Sequence, residues 1–311
     1  MTRIAFLSAG APRHGKNFRE QVQRLADDAG YGWECEVWEW KTDGYESYDF
    51  SCVDWIWNVG NFGNFFQWLA QKKPRPKAIS MWIGTDILQH RDIVRQGISD
   101  PFEAAALHIA DAPNLVEEAR ELTGLDVTLY RSIPPETYAP SPITRWDRIL
   151  AYVPQGREDF FRWDLIREVA RDYPTLEFVI IGRSDPLADA SANVRVVPEV
   201  SGDAKRELFL SAFALLRPCV HDVIGLTLIE MAQLGSYVFH SDTRIPHVLP
   251  ARSVGEIEFH LDRIIERREN PNPAIGDYYG REYSDRALAN DLDRLRQRME
   301  SAVRVPQVPG P

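Results

Sequence analysis

Residues 214–242 read ALLRPCVHDVIGLTLIEMAQLGSYVFHSD, and the fold turns on how this stretch divides. Ala214 to Leu216 is an apolar run suited to a buried strand, and it ends in Arg217, Pro218 and the pair His221 and Asp222. Gly225 then opens an amphipathic segment with one acid, Glu230, which stops at Gly235. The apolar spacing with its proline and glycine punctuation gives strand, loop, helix, strand. In an open α/β sheet such a unit places the loop and the first helical turn at the carboxyl ends of the parallel strands. Ligands bind there, and first-turn N–H groups favour anions such as phosphate. Asp222 and Glu230 have seven residues between them, which puts one carboxylate in the loop and the other in the second turn of the helix. Both can then face one ligand, although the run between them is almost entirely apolar.

Outward from that unit the same alternation fills both halves of the chain. In the first half, RIAFLS (3–8), WECEVWEW (33–40), CVDWIWNVG (52–60), KAISMWIG (77–84) and LDVTLYRS (125–132) have strand character. GKNFREQVQRLADDAG (15–30), NFFQWLAQKK (64–73) and PNLVEEARELTG (113–124) have helix character. In the second half, RILAYVP (148–154), LEFVIIG (176–182) and NVRVVPEV (193–200) are strands. FRWDLIREVARDYP (161–174), DAKRELFLSA (203–212) and GEIEFHLDRIIERREN (255–270) are helices, and after the break at NPNPAIG a long helix spans 284–303. Between the halves, IPPETYAPSP (133–142) holds four prolines in ten residues; no helix or central strand survives that density, so it reads as a linker. The expectation is an α/β protein of two doubly wound domains facing each other across a cleft.

Totals agree with two domains. A chain of 311 residues exceeds what one hydrophobic core usually serves, and 44% hydrophobic with 26% charged residues is an ordinary globular composition. A net charge of −10 argues against a surface whose main task is neutralising a nucleic acid backbone. Cys35, Cys52 and Cys219 are widely spaced, without CxxC or a histidine at metal-ligand spacing, so neither a disulfide framework nor a zinc site is expected. The opening MTRIAFLSAG lacks the apolar core of a signal peptide, and no run reaches the roughly eighteen apolar residues a membrane span needs. A cytoplasmic home without a transmembrane segment is expected.

Two such domains, a proline-rich hinge and the acid-x7-glutamate segment resemble the GT-B glycosyltransferases. The likeness is to the large retaining family that uses nucleotide sugars and usually writes E-x7-E around a Gly-Leu turn (glycosyltransferase family 4-like, group 1). Here the pattern stands as Asp222-Val-Ile-Gly-Leu-Thr-Leu-Ile-Glu230, with a shorter first acid. The resemblance implies an acceptor-side domain of residues 1–140, joined by a returning helix at 284–303, and a nucleotide-sugar domain of residues 141–283. It implies a metal-independent transferase without a cofactor, its partners a nucleotide-sugar donor and a glycan, glycolipid or small-molecule acceptor. Modified DNA is an acceptor that the net charge disfavours.

The same resemblance distributes roles. Glu230 matches the acid that accepts hydrogen bonds from the ribose diol, a task for an acceptor-only group. Asp222 matches the acid facing the donor sugar, with His221 beside it. The amides of Gly225, Leu226 and Thr227 meet the diphosphate. A leaving diphosphate also needs cations, and Arg157 and Arg162 are the candidates, with Arg217 and Arg183 behind them. The first strand-helix loop, SAGAPRHGKN, offers Gly10 and Ala11 as close backbone donors. Asp86 and Trp82 are expected on the acceptor or sugar side, and most tryptophans of the first half in the core. Two other functions fit the same pattern: a bilobal binding protein without turnover, and a nucleotide-sugar epimerase.

Overall fold

The structure, a computed structural model, describes residues 1–8, 12–38, 48–61, 64–132, 134, 136–269 and 272–304, with backbone alone at 12–14 and 303–304. The chain forms two compact units, Met1–Ser132 with the chain from Asp285 onward, and Ile133–Ser284.

The first unit is a sheet of six parallel strands: β1 (Thr2–Leu7), β2 (Trp33–Trp38), β3 (Trp55–Val59), β4 (Ala78–Trp82), β5 (Leu107–Ala110) and β6 (Val127–Leu129). Their order is β2-β1-β3-β4-β5-β6, so the winding reverses between β1 and β3, where Phe6 is in register with Trp57. Helices α1 (Pro12–Asp28), α2 (Phe65–Gln71), α3 (Thr85–Arg95) and α4 (Pro113–Thr123) make the connections. A parallel sheet covered by helices has no solvent face, which is why β3 and β4 are buried at every position. The tryptophans follow suit. Trp33, Trp55, Trp57, Trp68 and Trp82 are buried, Phe6 stacks on Trp57 at 4.9 Å, and Trp38 is half-buried. Trp40 lies outside the described residues.

The second unit repeats the plan with β7 (Arg148–Tyr152), β8 (Glu177–Ile181), β9 (Val194–Val197), β10 (Ala214–Arg217), β11 (Tyr237–His240) and β12 (Leu249–Pro250). All are parallel, in the order β12-β11-β10-β7-β8-β9. The helices are α5 (Trp163–Asp172), α6 (Gly202–Leu210), α7 (Leu226–Gln233), α8 (Val254–Arg267) and α9 (Pro273–Glu282). Phe178, Phe213, Phe239, Ile166 and Leu261 fill the core between sheet and helices. Here the winding reverses between β7 and β10, which are adjacent. At such a switch point the loops leaving the two strands diverge and open a crevice beyond their carboxyl ends.

The last helix, α10 (Asp285–Arg304), is part of the first unit and packs on α1. Leu288, Leu292, Leu295 and Met299 form its buried stripe, and buried Asp291 receives both Nη1 and the backbone amide of Arg131. Four elements among those named go beyond the expectations from sequence: α3, β5, α9 and the two-residue β12. No helix among the described residues is long and apolar enough to cross a membrane.

Candidate functional site

At the switch point of the second unit, β7 leads into the loop 153–162 and β10 into the loop 218–225. The backbone ties the two together, because the Val220 amide donates to the Phe160 carbonyl at 2.9 Å. In the first loop Phe161 is buried, and two guanidinium groups lie over its ring. Arg217 lies 5.3 Å and Arg157 5.5 Å from its ring centroid.

The two arginines differ in what surrounds them. Arg217 is 7% exposed and also covers the Tyr152 ring at 5.5 Å. Its Nε donates to Asp222 Oδ2 at 2.5 Å. A Cβ at position 225 would stand 3.0 Å from its Nη2, so the chain can close over this guanidinium because residue 225 is glycine. Arg157 is exposed, lies 4.2 Å over the Phe160 ring, and has no carboxylate partner among the described residues. The site therefore has one neutralised cation inside and one unneutralised cation at its mouth.

Asp222 is tightly held, with its side chain 14% exposed. Burial pushes its carboxyl up, but Arg217 and His240 outweigh that and hold it at about 2. His240 accepts the Asp242 amide on Nδ1 at 2.9 Å, so a neutral ring carries its proton on Nε2. That nitrogen is 3.7 Å from Asp222 Oδ2 and 3.7 Å from Cys219 Sγ. Cys219, Asp222 and His240 thus bring three ligand-type atoms within 4.8 Å of one another. They do not suit a cation. The carboxylate already has a guanidinium, the histidine nitrogen facing the group is the protonated one, and burial pushes the thiol up to about 12, keeping it neutral.

Gly225, Leu226 and Thr227 are half-buried at the start of α7, where the first N–H groups of a helix have no intrahelical acceptor. His221 is half-buried next to Asp222. One turn into α7, Glu230 is 3% exposed and its Oε1 receives Lys205 Nζ from α6 at 2.7 Å. The charges bounding the apolar stretch 214–234 are accounted for: Arg217 pairs with Asp222 across the loop, and Glu230 with a lysine on the preceding helix.

Other expected residues fall elsewhere. Arg162 is the N-cap of α5 and turns both Nε and Nη2 onto Asp164 at 3.0 Å. Arg183, buried after β8, gives Nη1 to Glu158 at 2.5 Å and Nε to the Asp185 carbonyl. Asp86 and Trp82 are fully buried within the first unit. Asp86 accepts the amides of Asn61, Ile83 and Ile87, and its carboxyl is raised by burial. Trp82 packs against Phe66, His90 and His108. Neither presents an atom to solvent, so the structure does not bring them to an acceptor surface. Gly10 and Ala11 lie outside the described residues. Lys205, His240 and Cys219 were missed from sequence; the lysine stands on another helix, and no spacing connects it to Glu230. The signal for the Arg217–Asp222 pair was present, since a basic residue ending a buried strand must be neutralised nearby.

Two doubly wound α/β units of six parallel strands each are the GT-B fold. Among solved structures, the chain is similar to sucrose-phosphate synthase from Thermosynechococcus elongatus, with TM-score 0.69 and 14% identity over 97% of this chain and 100% of that one. It is similar to Anabaena HepE, solved in complex with UDP and glucose, with TM-score 0.65 and 11% identity over 97% and 100%. A third is the lipopolysaccharide outer core galactosyltransferase WaaB, with TM-score 0.61 and 14% identity over 96% and 99%. At these identities the likeness is one of fold. No protein-family model matches the chain, and no curated protein sequence matches it.

Proposed function

We propose that the protein is a glycosyltransferase that moves a sugar from a nucleoside diphosphate donor to an acceptor hydroxyl, with retention of configuration and without a metal ion. One observation carries the reading. An exposed, unneutralised Arg157 stands in the loop after β7, which the Val220–Phe160 hydrogen bond ties to the loop that leads into α7, at the switch point of the second unit. Charge develops on a departing diphosphate, and fixed N–H and guanidinium donors stabilise it more as it develops, which lowers the barrier. Arg157 and the first-turn amides of α7 supply those donors. Glu230 is the ribose acceptor. Asp222, drawn in by Arg217 and His240, acts through the shape of the turn that carries the amides. Arginine and backbone in these places make a divalent cation unnecessary for the leaving group. The first unit takes the acceptor, a glycan, glycolipid or small molecule.

The fold shared with a galactosyltransferase and with a protein solved with UDP and glucose supports the reading. The test is incubation of the purified chain with UDP-, GDP- and ADP-sugars and a glycan acceptor panel, with and without chelator. Nucleoside diphosphate release and the anomeric configuration of the product are followed. Expected is acceptor-dependent release, insensitive to chelator, with the donor configuration kept. Binding without release identifies a binding protein, and an isomerised sugar without acceptor identifies an epimerase. Chelator sensitivity or inversion removes that part of the proposal.

A further inference from the structure

Glu230 is nearly sealed from water, and two charges reach it. Lys205 Nζ on α6 is 2.7 Å away, its own side chain 15% exposed. Glu136 approaches from the segment 136–138 and is itself held by the Tyr138 hydroxyl at 2.7 Å. That segment is pinned to α7, because the Tyr138 amide donates to Gln233 Oε1 at 3.1 Å. Arg206 acts on Tyr138 from α6. The neighbouring α9, β10 and β11 bring no further charge to Glu230. Glu230 is therefore a buried carboxylate with one ammonium on it and a second, half-buried carboxylate near enough to act against its charge.

Resting on the reading of Glu230 as ribose acceptor, we propose that Lys205 is a positioning residue for nucleotide binding. Its ammonium keeps Glu230 ionised and so sets the pH range over which the ribose is held. The chemistry requires the charge. An ionised carboxylate only accepts, and can take both hydroxyls of a diol; a protonated one spends an oxygen as donor. Burial drives Glu230 toward the protonated form, Lys205 opposes it, and Glu136 adds to the drive. Without the ammonium the remaining influences act in one direction. Protonation then begins at higher pH, and affinity falls about tenfold for each pH unit below that point.

The experiment titrates UDP, GDP and ADP into the full chain at about pH 8 and carries the tightest binder forward with its 2′-deoxy analogue. Wild type, Lys205→Met, Lys205→Arg and Glu230→Gln are compared from about pH 8.5 to about pH 5.5, the range in which a raised buried carboxyl titrates. Circular dichroism checks folding, and Lys205→Gln replaces the methionine variant if that one fails to fold. Expected is a loss of affinity in Lys205→Met whose midpoint lies at least about one pH unit above that of wild type, with Lys205→Arg restoring the wild-type profile. Glu230→Gln should bind weakly at every pH and no longer distinguish ribose from 2′-deoxyribose. Uniform weakening of Lys205→Met with an unmoved midpoint means a structural role and overturns the inference. Tighter binding at every pH also overturns it, since Lys205 would then be a competitor of the ribose. Wild-type affinity in Glu230→Gln, or no binding of any nucleotide, overturns the ribose reading itself.

Discussion

Asp222→Asn removes one member of a buried ion pair and strands the other. Arg217 cannot turn to water, because its guanidinium is enclosed by the Tyr152 and Phe161 rings and by the Gly225 backbone. The pairing can be sized from the carboxyl, which stands at about 2 against an ordinary 3.8. At ~1.4 kcal/mol per pKa unit the excess of the favourable partners over the burial penalty is about 2 kcal/mol at neutral pH. The stranded guanidinium adds its own desolvation, and breaking one side of a buried pair costs about 3–5 kcal/mol. The native pKa is depressed, so this contribution is complete above about pH 4 and is lost as the pH falls toward 2. The assay is hydrogen exchange by mass spectrometry at neutral pH on peptides covering β7 and β10, since a whole-chain melt would mix two units. Expected is a loss of about 3–5 kcal/mol in their opening free energy, most of it recovered when Arg217→Met is added and no charge is left behind. A loss under about 1 kcal/mol, or a double variant no better than Asp222→Asn, would refute the clamp.

Arg157→Ala should lower kcat more than it raises KM, with a fall of about 10²–10³ in kcat, because a donor to the leaving group acts chiefly in the transition state. Small equal effects in steady-state kinetics would shift that role to another of the site's arginines. Alkylation at mildly alkaline pH should reach Cys52 first, since it is exposed while Cys35 and Cys219 are buried with thiols pushed up to about 12. Peptide mapping reads the order, and early labelling of Cys219 would contradict the enclosed cluster. Leu292→Ala in α10 should cost about 2–5 kcal/mol as a core truncation, read by exchange in peptides of α1 and β1. Unchanged protection there would deny the packing of α10 on the first unit.

Much of the sheet-and-helix order was legible because buried parallel strands are short apolar runs and surface helices carry an apolar stripe. The elements that escaped break those rules for physical reasons. In α3, Asp86 and His90 stand at buried positions and would count as polar-face residues. They are buried because Asp86 takes three backbone amides and His90 lies between Asp100 and the Asn61 carbonyl. In β5, four residues including His108 are too short and too polar for a strand signal, yet the ring is buried with Nε2 on the Phe102 carbonyl. In α9, NPNPAIG (270–276), with Pro273 and Gly276, reads as a break. Proline is tolerated in the first turn, Ile275 and Tyr279 are buried, and Gly276 leaves room for Pro140, whose Cγ would stand 3.3 Å from a Cβ there. At the candidate site the spacing of Asp222 and Glu230 was visible, and so was Arg217 five residues before Asp222, whereas Lys205 and His240 come from another helix and strand that only the fold brings near.

The placement of α10 has a consequence for the order in which the molecule can be made. The first unit's sheet is complete by residue 132, but the helix that covers α1 comes only after residue 284, and the whole second unit lies between. At ~5–20 residues per second, the ribosome spends about 8–30 s on those intervening residues. During that interval the apolar surface destined for Leu288, Leu292, Leu295 and Met299 has no cover, while the continuous second unit can close on itself as soon as it emerges. The unit synthesised first is therefore the one finished last, and nascent chains stalled before α10 would be the species that chaperones retain.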